Sequence, residues 1–94
     1  MHPYIVEFLG TFFLMAVILY SKGNWILIGL ALGIAVLLGG KASGGCFNPA
    51  VTIGACMTKS LPYSKLFPYI IAEIIGAVIA VLLYLASKKY LANI

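Results

Sequence analysis

The sequence predicts an all-α integral membrane fold, with three spanning helices and one short helix that dips into the bilayer and returns. Three observations carry this reading. Of 94 residues, 64% are hydrophobic and 9% are charged, and the mean hydropathy is +1.14. Soluble domains average roughly half apolar and a quarter charged, and a chain this small cannot bury so much apolar surface in water. The apolar residues fall into three long runs separated by lysines, and a fourth, shorter run opened by Asn48-Pro49 lies between the second and third. This composition excludes a soluble enzyme, a nucleic-acid binder and a disordered tail. The net charge of +4 comes from six basic and two acidic residues, and the lysines sit at the ends of apolar runs, where they anchor a chain to membrane edges. Membrane lipid is the expected partner, with no nucleic acid. Cys46 and Cys56 lack metal-ligand spacing and His2 is the sole histidine, so no metal or other cofactor is expected.

The first run, about 4–21, is close to the shortest length that spans a bilayer. A signal peptide fits it poorly: no Lys or Arg precedes it, Glu7 interrupts it, and no small-residue cleavage site follows. Lys22-Gly23-Asn24 makes a tight connection to the second run, about 25–40, which Trp25 anchors at the interface. The third long run, about 66–87, has Pro68 near its first turn, where a missing N–H does least harm, and Lys88 and Lys89 are expected to end it.

Residues about 41–59 carry the argument. Ser43, Gly44 and Gly45 read as irregular backbone. Asn48 reads as an N-cap and Pro49 as the first helical position. The apolar helix that follows has about ten residues and so about 15 Å of length, half a hydrocarbon core. A surface-lying helix needs a basic polar face, and Asn48 to Thr58 has none. Re-entry is left, and irregular backbone at membrane depth must be buried in protein or line a wet cavity. A polar site at the Asn48 end follows. Small residues give the runs close-packing faces: Glu7, Gly10 and Thr11 in the first, Gly29 and Gly33 in the second, and Glu73, Gly76, Ala77 and Ala80 in the third.

The stretch Ser43-Gly44-Gly45-Cys46-Phe47-Asn48-Pro49-Ala50-Val51-Thr52-Ile53-Gly54 resembles the first signature loop of the aquaporin, or major intrinsic protein, family. Glu7-Phe8-Leu9-Gly10-Thr11 is similar to its first helix, and the run from Tyr69 to Ala77 to its third. The resemblance covers nearly the whole chain as a single unit over residues 1–94. It implies an aquaporin-like half repeat: family members have two inverted halves, and this sequence matches the first, with Val51 where the second half carries Arg.

The resemblance implies a passive channel for water and small neutral, glycerol-like solutes. In it two half-helices meet end to end, and Asn48, Pro49 and Ala50 form the pore motif of one. The Asn side chain caps its helix through oxygen and offers its NH2 to the solute; the positive helix ends orient water and repel cations. One half supplies one such helix. Lys41, Lys59 and Lys65 fall on the side of the first residue, and Lys22, Lys88 and Lys89 on the other. That balance gives no preferred orientation, so the expected assembly is an antiparallel homodimer with dual topology. By resemblance such pores gather in fours.

The family's filter positions land on Ile28, Gly45 and Val51, with Cys46 at the pore mouth, where an exposed thiol would be open to mercurials. This constriction is more apolar than a strict water filter. Lys41 is an alternative source of positive charge at the mouth. By resemblance Glu7 accepts N–H bonds from the signature loop, with Ser43 and Gly44 supporting it. The family commonly has Gln at the position of Glu73, which stands here as a protonated acid, a partner of a lysine, or a group facing water. No nucleophile–base pair suggests an enzyme. The alternatives are a small dual-topology proton-coupled transporter using Glu7 or Glu73, and a non-conducting half that joins a complementary channel half.

Overall fold

The structure is a computed structural model that describes residues 1–93, so Ile94 lies outside it. Four α-helices follow in order: α1 (Pro3–Tyr20), α2 (Trp25–Ser43), α3 (Pro49–Met57) and α4 (Leu66–Ala92), with a 3-10 turn at Tyr63–Lys65 before the last. Three of them are long and apolar enough to cross a membrane: α1, α2 and the Tyr63–Ala92 segment that contains α4. The helix starts follow local chemistry. His2 Nδ1 accepts from Tyr4 N–H at 3.1 Å to cap α1, with Pro3 at its first position. Asn24 Oδ1 accepts from the N–H groups of Ile26 and Leu27, both at 3.1 Å, to cap α2.

Two helix ends differ from the sequence expectation. α2 continues past Gly40 through Lys41, Ala42 and Ser43, and its C-cap is Gly44 at φ +91°. Neither Lys41 nor Ala42 opposes a helix, and a glycine in the left-handed region is the usual stop. The irregular stretch is therefore only Gly44–Phe47, and Ser43 is helical. α4 runs beyond Lys88 and Lys89 to Ala92, because lysine favours a helix and neither Gly nor Pro follows it.

α1 is the central element, packed against both α2 and α4. Gly76 permits the closest approach: a Cβ there would meet the Phe8 carbonyl and sit 3.2 Å from the Phe12 nitrogen. Glu73, Gly76 and Ala80 are buried as a row on α4, with Tyr69 one turn before. At the far end of this pair Tyr20 Oη and Ser87 Oγ are 2.6 Å apart, and the Tyr20 and Tyr84 rings meet edge to face. α2 meets α1 through Ala31, Ala35 and Gly39. The expected Gly29–Gly33 face is not the one used. Both glycines are open, with nothing within 4 Å of an added Cβ, since they sit two residues off the buried i, i+4, i+8 row.

The short α3 has nine residues and rests against α4. Phe47 precedes its cap and reaches Gly10, the eighth residue of α1. The start of α3 thus lies alongside the third turn of α1, roughly 10 Å along that helix. A bilayer core is about 30 Å thick, so the tip is well inside the length of the spans. After Met57 the chain turns back through Thr58 and Lys59, the latter at φ +65°, to reach α4.

Gly76→Leu should lower stability by about 1–3 kcal/mol or more, the range for overpacking a close-packed contact, read as thermal loss of helical circular dichroism in detergent. Gly40→Ala, whose added Cβ would find only ordinary contact at 3.7 Å, should leave the midpoint unchanged or raise it.

Candidate functional site

The loop between α2 and α3 must satisfy its backbone groups without a helix or strand. Glu7 on α1 does most of this. Its Oε1 accepts from Phe47 N–H at 2.8 Å, and its Oε2 accepts from Cys46 N–H at 3.2 Å and from Ser43 Oγ at 2.6 Å. Ser43 Oγ in turn accepts from Gly45 N–H at 3.1 Å. The Glu7 side chain is 0% exposed. Hydrogen bonds to a charged group contribute roughly 1.5–3 kcal/mol each, so this carboxyl is the anchor of the loop. Ser43 belongs to the same anchor, while Gly44 and Gly45, at φ +91° and +67°, turn the chain.

Phe47 is the residue that sequence reasoning missed. It too has a positive φ, 53°, unfavourable for a side-chain-bearing residue by roughly 1–2 kcal/mol. Two features hold it there: the N–H bond to Glu7, and a slot for its ring cut by the absent side chains of Gly10 and Gly39. Its ring is buried at 2% exposure in a cluster with Val6 and Ala35. The signal in the sequence was the pair of glycines, one on each flanking helix.

Asn48 then caps α3, its Oδ1 accepting from Ala50 N–H at 2.8 Å, with Pro49 at the first helical position. Among the described residues the Asn48 Nδ2 group donates to nothing, and the side chain is exposed. Thr52, one turn on, lies within 3.0 Å of the Asn48 carbonyl and 2.7 Å of Glu73 Oε2 and is fully buried. Its four-residue spacing from Asn48 was the available signal. Tyr69 Oη donates to the Ser43 carbonyl at 2.6 Å and ties α4 to the end of α2.

The remaining sequence candidates scatter. Ala50 and Val51 are exposed on the first turn of α3, and Gly45 and Ile28 are half-buried. Cys46 departs from the open pore-mouth thiol expected of it. Its side chain turns inward and packs with Cys56, Leu61 and Tyr69, leaving 7% exposed. Its N–H bond to Glu7 fixes that orientation. Buried in this way, the thiol is not the open one that a mercurial would reach. Both cysteines are free, and among the described residues no group of three or more His, Cys, Asp or Glu side chains is placed to hold a metal.

The major intrinsic protein family matches residues 21–93. The chain is 42% identical over 88 residues to glycerol uptake facilitator protein-like 6 of Lactiplantibacillus plantarum, a match covering 85% of this chain and 41% of the relative. It is 41% identical over 102 residues to a probable glycerol uptake facilitator protein of Thermotoga maritima, covering 90% and 44%. It is 34% identical over 111 residues to aquaporin AqpM of Methanothermobacter thermautotrophicus, covering 86% and 45%. The chain spans less than half the length of these relatives, and no solved structure matches it significantly. With three helices able to cross a bilayer and a family match over most of its length, the chain belongs to the major intrinsic proteins and is a multi-pass integral membrane protein.

Proposed function

We propose that the chain is half of a passive pore for water and small neutral solutes of the glycerol type, and that two copies inserted in opposite directions complete it. The observation that carries the reading is the capped tip of α3. Asn48 commits its side-chain oxygen to Ala50 and keeps its amide NH2 free, at the end of a helix that bears roughly half a positive charge. A solute oxygen is the complementary partner, and a cation is repelled. A second tip facing the first gives donors from both directions. Water between them then points its hydrogens outward both ways, which interrupts a proton wire.

The antiparallel arrangement rests on charge. Three lysines fall on each side of the bilayer, so the positive-inside bias cancels. A two-fold axis in the membrane plane brings identical tips together. In such a dimer each mouth carries Ile28, Gly45 and Val51, apolar groups with no cation, which suits a polyol backbone as well as water. The names of the glycerol-facilitator relatives agree with that solute class. No catalytic role is assigned to any residue. A complementary half in place of the second copy is the other reading, favoured by the chain's 41–45% coverage of its relatives.

The test is the pure chain in liposomes, with shrinkage followed by light scattering under osmotic gradients. Wild type should accelerate water exit and admit glycerol. Asn48→Asp keeps the cap but replaces the donor with a charge, and should lower both fluxes by about tenfold or more, the equivalent of about 1.4 kcal/mol. Shrinkage no faster than that of empty vesicles rejects the self-sufficient pore and leaves the complementary half. Water flux without glycerol flux rejects the polyol assignment.

Orientation is measured separately. Reporters fused after residue 94 should be found on both sides of the membrane in comparable amounts. Replacing Lys22 and Lys88 by Gln should bias insertion to the orientation that keeps Lys41, Lys59 and Lys65 inside. A single orientation in the wild type rejects the homodimer.

A further inference from the structure

The sequence contains two acidic side chains, and both end up in the interior. Glu7 on α1 and Glu73 on α4 are each 0% exposed. They face each other across the α1–α4 seam, where Gly76, one turn after Glu73, meets the carbonyl of Phe8, the residue next to Glu7. The groups around the pair are Ser43, the Cys46 and Phe47 N–H groups, and Thr52. Among the described residues no lysine or histidine bonds to either carboxyl. Two ionised carboxylates facing each other in the interior, without a counter-ion, repel each other while each loses its hydration. One proton shared between two such groups removes that repulsion.

The bonding pattern decides which one holds it. Glu7 accepts three hydrogen bonds, and an ionised carboxylate has about four lone-pair sites. One site is left. Glu73 accepts at Oε2 from Thr52, while its Oε1 is buried with no partner. A proton on Oε1 turns that orphaned atom into a donor for the remaining site on Glu7.

We propose that Glu73 is a neutral carboxylic acid that donates to the Glu7 carboxylate, and that it is a positioning residue for α3. It acts through Glu7, which holds the loop, and through Thr52, which belongs to the first turns of α3. One proton thereby links α1, α3 and α4. This proton holds the tip in place whatever passes it.

Infrared spectroscopy of the purified full chain in lipid bilayers reads this directly. With only two acidic side chains, and a terminal carboxyl ionised at neutral pH, the carbonyl region is sparsely occupied. Wild type should show the stretch of one neutral acid at neutral pH. Glu73→Gln should abolish it and hold the thermal midpoint at or above that of wild type, because the amide donates where the acid did. Glu73→Leu should melt well below both. Glu7→Gln, where it folds, should shift the band. The proposal is overturned by a wild type with no such band, by a band that survives Glu73→Gln, by one that folded Glu7→Gln leaves unmoved, or by Glu73→Gln melting with Glu73→Leu. If Glu7→Gln does not fold, the Glu73 variants decide the matter alone.

Discussion

Backbone that leaves a helix inside a bilayer has no water to satisfy it, and each unpaired polar group there costs several kcal/mol. This constraint organises the molecule. Between Gly44 and Ala50 the chain has no ladder of its own, and side chains meet four of its N–H groups. Ser43 takes Gly45, Glu7 takes Cys46 and Phe47, and Asn48 takes Ala50. A single carboxyl on α1 thus does for the loop what a neighbouring strand would do in a sheet. It also fixes where α3 begins, because Asn48 follows the last residue that Glu7 holds.

Packing completes what the carboxyl starts. Phe47 fills the slot between Gly10 and Gly39, so hydrogen bonding and ring burial oppose the unfavourable positive φ at the same residue. The glycines have distinct uses. Gly76 brings two backbones together, Gly10 and Gly39 admit a ring, and Gly44 and Gly45 turn the chain. Small residues in membrane helices are often grouped as a single kind of association signal; here each solves a different geometric problem.

Much of this was legible in the sequence. Hydropathy and lysine placement marked three spans, and Asn48-Pro49 before a short uncharged run marked the fourth helix. The ends were harder, because the lysines at 41 and 88 suit a helix as well as its boundary. The Gly29–Gly33 spacing suggested a packing face, yet the face used is set by the tertiary row Ala31, Ala35 and Gly39. Phe47 carried no local mark of a left-handed backbone, since its slot is made by residues 37 positions before it and eight before it in sequence. The setting of Glu73 was illegible for a similar reason. Whether it met lysine, water or Glu7 depended on which faces of α1 and α4 came together.

The exposed surface of α3 is where the fold and its surroundings constrain each other most. Ile53 and Met57 are exposed apolar side chains, and hydrocarbon covers them at no cost. The tip is different. Asn48 is exposed with an uncommitted amide, about 10 Å along the neighbouring span. Lipid cannot satisfy that group. Only water, or another polar surface, can lie against it at that depth. A helix that needs lipid on its flank and a polar phase at its end therefore sits at a boundary between the two, and the protein has to be part of what makes that boundary.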